Sequence, residues 1–368
     1  MSPSLRFPEF TGEWKEERLS EIADIYKGAG ISKDQLSDNG EPCILYGELY
    51  TKYKTETITE VISRTDIDNT KLVRSKANDV IIPCTGETAE DIATARCVIK
   101  DGILLGGDLN IIRLHNYDGS FVSYQLNGKR KYDIAKVAQG VSVVHLYGEH
   151  LKGVKTVNPC LAEQKKISRF LSLLDERIAV QNRLIDRLQS LMIGIAQKIA
   201  HSNKPNVRIS DCLECSSSAL QESEVNKTGK YPVYGANGIV GYIDKYHTQN
   251  EAIYIIKDGS GVGDVSYVTG KCSSTGTLNI LQAKNGHSLK YLYYLLKVFN
   301  FVPYKTGMAI PHIYFKDYGK AKIFCPAYPE QLEYVKLLSS IDGNLRIALD
   351  SLKNFNLQKQ YLLRHMLI

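Results

Sequence analysis

The chain repeats itself, and a repeat limits the possible folds more than any local pattern does. Shifting the sequence by 167 positions lays residues 140–175 on 307–342, and ten of the 36 pairs are identical. They are Gly140/Gly307, His145/His312, Tyr147/Tyr314, Lys155/Lys322, Pro159/Pro326, Glu163/Glu330, Gln164/Gln331, Leu171/Leu338, Ser172/Ser339 and Asp175/Asp342. Average composition would give about 6% identity, roughly two pairs. Upstream the match continues at drifting offsets. Leu109-Asn110-Ile111 answers Leu278-Asn279-Ile280, Tyr46-Gly47 answers Tyr234-Gly235, and Arg18-Leu19-Ser20 answers Arg208-Ile209-Ser210. The 368 residues therefore read as two copies of one unit, the second shorter in its globular part.

Each copy ends in a long helix. Ile167, Leu171, Leu174, Ile178, Gln181, Ile185, Leu188, Met192, Ile195 and Ile199 are spaced alternately four and three apart. Adding 167 gives Tyr334, Leu338, Ile341, Leu345, Ala348, Leu352, Phe355, Lys359, Leu362 and Met366. Nine of ten are apolar in each set, with Gln181 and Lys359 the exceptions, so a heptad seam runs over more than four heptads, twice. A seam that holds a 3.5-residue period needs a helical partner, because a lone amphipathic helix drifts off it. Pro159 and Pro326 fit the first helical position, where a missing N–H costs nothing. A helix over 161–200 spans about 60 Å. Antiparallel pairing inside one chain buries both seams and gives an internal pseudo-two-fold, with two heads held apart by a rod; parallel pairing with a second chain is the alternative.

The heads read as α/β (α+β) domains around a twisted sheet. Val80-Ile81-Ile82, Asn110–Leu114, Ala252–Ile256 and Leu278–Leu281 are β-rich and flanked by turn residues. The expected divisions are 1–158, 159–202, 203–325 and 326–368: head, helix, head, helix. Catalytic signatures are absent from the sequence: no phosphate-binding GxxxxGK[ST], no GxSxG and no HExxH. Gly259-Ser260-Gly261-Val262-Gly263 has Asp264 where GxGxxG needs its last glycine. Asn158-Pro159-Cys160 lacks the second proline and aromatic of the amino-methyltransferase box. Cys212-Leu213-Glu214-Cys215 is the only CxxC, so spacing offers no structural zinc, and the eight cysteines are expected to be reduced. No apolar run reaches about 18 residues, and Met1–Phe10 has no apolar signal core. A cytoplasmic chain without catalytic residues, metal or membrane contact is expected.

Lys and Arg number 46 against 40 Asp and Glu, a net charge of +6 that permits a polyanionic partner. Basic residues gather near turns, at Lys52/Lys54, Lys129/Arg130/Lys131, Lys227/Lys230, Lys284/Lys290 and Lys305. Tyrosine, at 23, is abundant and can stack on bases or donate to phosphate as well as fill cores. Two heads at fixed spacing suit duplex DNA, which repeats every 34–36 Å or so. A stand-alone DNA-binding regulator or a non-DNA interaction rod on the same scaffold are the competing readings.

The chain carries an ordered set of marks: Leu5–Phe10 with Trp14 and Arg18-Leu19, the Gly40–Gly47 and Gly229–Gly235 segments, Lys257-Asp258-Gly259-Ser260-Gly261, and above all the twin Pro-x-x-x-Glu-Gln helix starts Pro159–Gln164 and Pro326–Gln331. In these marks it resembles the specificity (S) subunits of type I restriction-modification systems. At the place of Lys257–Gly261, copy one carries Pro83-Cys84-Thr85-Gly86-Glu87. The resemblance implies a non-catalytic subunit whose two heads each read one half of a bipartite, asymmetric DNA site while the helix pair sets the spacer. It implies docking to two modification subunits, which methylate adenine N6 with S-adenosylmethionine, and to two restriction subunits that use ATP and Mg2+ to cleave unmodified DNA. Base flipping and transfer then belong to the partners. Residues in or beside the repeated words are the expected DNA contacts: Tyr46, Thr85, Arg96, Gln139, Ser142 and His145 in head one, and Tyr234, Lys257, Ser260, Lys305, Thr306 and His312 in head two. The recurring His145 and His312 equally fit structural hydrogen bonds.

Overall fold

A computed structural model describes residues 2–68, 71–140, 143–201 and 204–368. The chain divides into two compact units, residues 1–182 with 351–368, and residues 183–350. The two units repeat one topology.

In the first unit, strands Ala23–Lys27, Leu109–Leu114, Asp79–Pro83 and Arg96–Val98 form an antiparallel sheet in that order, and Thr57–Ile58 adds in parallel beside Arg96–Val98. In the second, Leu213–Ser217, Leu278–Ala283, Glu251–Ile256 and Val265–Thr269 form the same antiparallel order. Each unit has a second small sheet built on a parallel pair, Glu41–Ile44 with Leu104–Leu105 and Tyr231–Gly235 with Ser273–Ser274. In each, a two-strand clasp leads into the long helix: Lys15–Arg18 with Lys155–Asn158, and Val207–Arg208 with Lys322–Ile323.

These pairings correct the repeat register in two places. Ile44 O accepts the Gly106 N–H, and Tyr234 O accepts the Thr275 N–H, so Ile44, not Tyr46, is the counterpart of Tyr234. Two-letter words such as Tyr-Gly recur by chance; the strand ladder does not slip so cheaply, since one residue's shift exchanges the faces. Likewise Ile82 and Ile255 occupy equivalent ladder positions opposite Asn110 and Asn279, which sets Gly86 on Gly259, one residue away from the alignment read in the sequence.

The long helices are Leu161–His201 and Tyr328–Met366. Cys160 O and Ala327 O accept their first amide protons, so the prolines stand one residue before the cap rather than at the first helical position. There the proline carbonyls become acceptors. Gln164 Nε2 donates to Pro159 O at 2.8 Å and Gln331 Nε2 to Pro326 O at 2.8 Å. The other end of each amide accepts the N–H of the residue capping a head helix, Asp118 at 2.9 Å and Ser288 at 2.8 Å. Those residues in turn cap Gly119–Asn127 and Leu289–Leu296 by accepting from Phe121 N and Tyr291 N. The repeated glutamine thus joins head to helix in both units.

The seam is real. Ile167, Leu171, Leu174, Ile185, Leu338, Ile341, Leu345 and Leu362 are buried, and Ile178, Leu188, Leu352 and Phe355 are half-buried, between exposed residues. Within the first unit, Ile167, Leu171 and Leu174 share one core with Leu362, Met366 and Leu367, and with Trp14, Leu19, Phe121 and Val157 of the head. The pairing is antiparallel there: Phe355 and Ile178 lie beside this core, and Lys359 meets Asp175. Among the described residues, no helix is long and apolar enough to cross a membrane.

Candidate nucleic-acid interface

The identities at the start of the repeated block build the same hairpin twice. In the first unit His145 exchanges two backbone hydrogen bonds with Gln139, at 2.9 and 2.7 Å, and in the second His312 exchanges the same two with Thr306, at 2.9 and 2.7 Å. On its other side, Val144–His145 pairs with Thr85–Gly86, and His312 bridges to Asp258. Cys84 O and Lys257 O accept the next amides, from Leu146 and Ile313. Gly140 and Gly307 turn the hairpins at φ +118° and +88°; a Cβ on either would stand 2.1 or 2.3 Å from a carbonyl oxygen, of Val143 or Ile310. Only glycine fits that left-handed turn without strain.

The hairpins bring some of the expected residues together. In the first unit Thr85 and His145 line a cleft of about 530 Å3 with Tyr26, Lys27, Asn110 and Tyr147. Tyr46 lines a neighbouring cleft of about 930 Å3 with Lys33, Tyr50, Lys52 and Glu87, and Asp108 belongs to both. Gln139 is exposed at the hairpin. Ser142 lies outside the described residues. Arg96 belongs elsewhere: it is 9% exposed, and its guanidinium donates to Leu49 O, Tyr53 O and Ala95 O at 3.0–3.2 Å. Its strand is covered on both edges, by Asp79–Pro83 and Thr57–Ile58, so the expected surface contact is an interior tie instead; burial pulls its pKa below the usual arginine value.

In the second unit Lys257, Asp258 and Gly259 run beside Pro311–Ile313, with Ser260, Lys305 and Thr306 exposed around them. His312 Nδ1 is 2.6 Å from Asp258 Oδ1. Tyr234 stands apart from this group. It is half-buried in the parallel strand pair, its ring edge-on to Tyr254, and burial raises its pKa. The arrangement offers hydroxyls, amides, imidazoles and ammonium groups on a rigid backbone, the chemistry that positions phosphates and reads base edges.

Two contributors were missed. Tyr147 and Tyr314 follow the histidines by two residues in both copies and are exposed by 55% and 47%. Tyr147 stacks on His145 with centroids 6.2 Å apart, and Lys316 Nζ lies 5.3 Å from the Tyr314 ring. Their identity at the repeat offset was the available signal.

A family model described as the type I restriction modification DNA specificity domain matches residues 11–190 and 202–354. A curated type I restriction enzyme specificity subunit of Haemophilus influenzae is 26% identical over 123 residues, 33% of this chain and 32% of that protein, so the alignment spans about a third of the relative's length. The fold is similar to that of a type I restriction-modification S subunit from M. genitalium, at TM-score 0.73 and 18% identity over 100% of this chain and 99% of the other. It is also similar to a chain from a structure of the type I R-M system concerned with complex assembly and conformational transition, at TM-score 0.53 and 15% identity over 96% and 97%. With both halves matched along most of their length, the chain belongs to the type I restriction-modification DNA specificity family.

Proposed function

We propose that this chain is the DNA sequence-specificity subunit of a type I restriction-modification complex. Each head reads one half of a bipartite, asymmetric site, and the helix pair sets the spacer between the halves. The observation that carries this reading is the coincidence of the two family-model matches with two units that each present the same glycine-turned histidine hairpin. The hairpins, with the segments paired to them and the neighbouring cleft, would supply contacts from Tyr46, Thr85, Gln139, His145 and Tyr147 on one side, and from Lys257, Ser260, Lys305, Thr306, His312 and Tyr314 on the other. The chain contributes recognition only. Two modification subunits would bring S-adenosylmethionine and methylate adenine N6, and two restriction subunits would bring ATP- and Mg2+-dependent translocation and cleavage, working in the cytoplasm. Exposed apolar residues of the long helices, among them Leu173, Val180, Leu337 and Ile347, suit docking of those partners.

The test is methylome sequencing of a host carrying the chain with its modification subunits, against a deletion strain. A single split adenine-methylated motif is expected to disappear with the deletion. An unchanged methylome, together with a reconstituted complex that binds all duplexes equally at moderate salt, would overturn the reading. Affinity for the cognate duplex should fall by about 0.9 log unit per log unit of salt for each phosphate neutralised.

A further inference from the structure

Cys212, His287 and Cys325 are far apart in the sequence and meet at the root of the second head. The two sulfurs and a ring nitrogen of His287 all lie within 4.8 Å of one another. Cys212 and Cys325 are buried, and His287 is half-buried. His287 Nδ1 is buried without a hydrogen-bond partner, which is costly for an imidazole unless something else occupies it. The CxxC pair is not the relevant one, because Cys215 Sγ is turned to Ser216 O instead.

The first unit shows what this joint does otherwise. By strand and cap equivalence, Cys325 replaces Asn158, His287 replaces Tyr117, Cys212 replaces Ile22 and Val207 replaces Glu17. There Tyr117 Oη and Asn158 Nδ2 both donate to the Glu17 carboxylate, at 2.9 and 3.0 Å. The second unit has lost that carboxylate and both of its donors, and carries two thiols and an imidazole in the same place.

We propose that Cys212, Cys325 and His287 form a binding site for a thiophilic divalent cation of the zinc class, which fastens the second head to the start of its long helix. Two thiolates and one imidazole are a soft donor set that suits tetrahedral zinc, and water completes the tetrahedron at the half-exposed side. Zn–S bonds of about 2.3 Å place tetrahedral sulfurs about 3.8 Å apart, so a set already within 4.8 Å closes on the ion with shifts of about 1 Å or less. Binding deprotonates both thiols and releases two protons to solvent, giving a neutral dithiolate–metal group. The ion would link the helix Ile209–Cys212, the loop that caps Leu289–Leu296, and the segment just before Tyr328–Met366. That is the place where the first unit uses hydrogen bonds to carboxylate. Spacing rules cannot see the site, because no two ligands are closer than 38 residues in the chain.

The test uses the full chain, without a histidine tag, reduced and kept free of oxygen. Cobalt(II) should give thiolate-to-metal charge-transfer absorption in the near ultraviolet, saturating at one equivalent and abolished by one equivalent of zinc. The band should vanish in C325N, which restores the first unit's residue, and weaken sharply in H287Y, while C160S and C215S keep it. Zinc should raise the Tm of the unaltered chain by several degrees and leave that of C325N unmoved. Absence of the charge-transfer band in the unaltered chain would overturn the proposal, and so would a band of equal strength in C325N. The spectrum of the unaltered chain decides even if a variant folds poorly, and it is independent of any DNA recognition.

Discussion

Lys359 Nζ lies 2.7 Å from Asp175 Oδ1, across the antiparallel pair of helices within the first unit. The same ammonium is 2.7 Å from Glu56 Oε2 of the head, and Tyr124 donates to the other Asp175 oxygen at 2.6 Å. Lys359 occupies a seam position whose partner in the first copy is Met192, so an apolar position has become the centre of a buried ion network. Burial works against the ammonium, yet the two carboxylates hold its pKa above the usual lysine value.

Replacing Lys359 by Met is expected to destabilise the first unit by about 3–5 kcal/mol, because two buried carboxylates are left facing one another. Burial already raises the Asp175 pKa, and Lys359 opposes that rise. Without the lysine the folded-state value climbs further above the unfolded one, so the carboxyl group's contribution is present at acid pH and lost as pH rises. K359M should therefore lose less stability at pH 5 than at pH 8. The unaltered protein weakens in the same direction but at much higher pH: the raised Lys359 contributes fully below the ordinary lysine pKa and its contribution is lost as pH climbs through its folded value. Urea midpoints across pH check both signs.

Gly307→Ala should cost more than about 1–2 kcal/mol, since a left-handed turn and a carbonyl 2.3 Å from the new Cβ act together. Gly140→Ala should act alike in the first unit. Each should depress recognition of one half-site only, measured by binding to duplexes altered in one half at a time.

Gln331→Ala removes an amide that satisfies both the Pro326 carbonyl and the Ser288 N–H. A loss of about 1–3 kcal/mol is expected from the unsatisfied buried groups. Gln164→Ala should behave the same way, and chemical denaturation of each variant measures it.

Lys305→Ala should weaken binding evenly across sequences and flatten the salt dependence by about 0.9 log unit if Lys305 contacts one phosphate. His312→Ala should instead change preference within a single half-site. Titrations at several salt concentrations separate the two behaviours.

Four residues inserted after Gln181 lengthen the first long helix by about 6 Å and turn it by about 40°. The accepted spacer should change while both half-sites stay the same, and methylome sequencing reads the motif directly.

Much of this was legible in the sequence because it is periodic or repeated. The seam follows from a heptad rule that uses only neighbouring residues, and every expected seam position is buried or half-buried. Gly140/Gly307 and His145/His312 marked the repeated block in the sequence, but the hairpin they build became visible only in the strand pairing. What failed depends on distant partners. Arg96 looked like a surface base reader because nothing local says that its strand lies inside the sheet, with Leu49 and Tyr53 carbonyls above it. Lys359 looked like a blemish in the seam because Glu56 lies 303 residues away. The Tyr46/Tyr234 equivalence failed because a two-residue word carries no register, whereas a parallel ladder does.

The Gln164 and Gln331 amides join each head to its own long helix at the first helical turn, through backbone groups that are present whatever the side chain. Loops beyond that joint can be exchanged wholesale, as the 23-residue difference between the copies already illustrates, without disturbing how a head is mounted. On the proposed function, new sequence preferences would then arise in the loops of a head while its mounting stays the same.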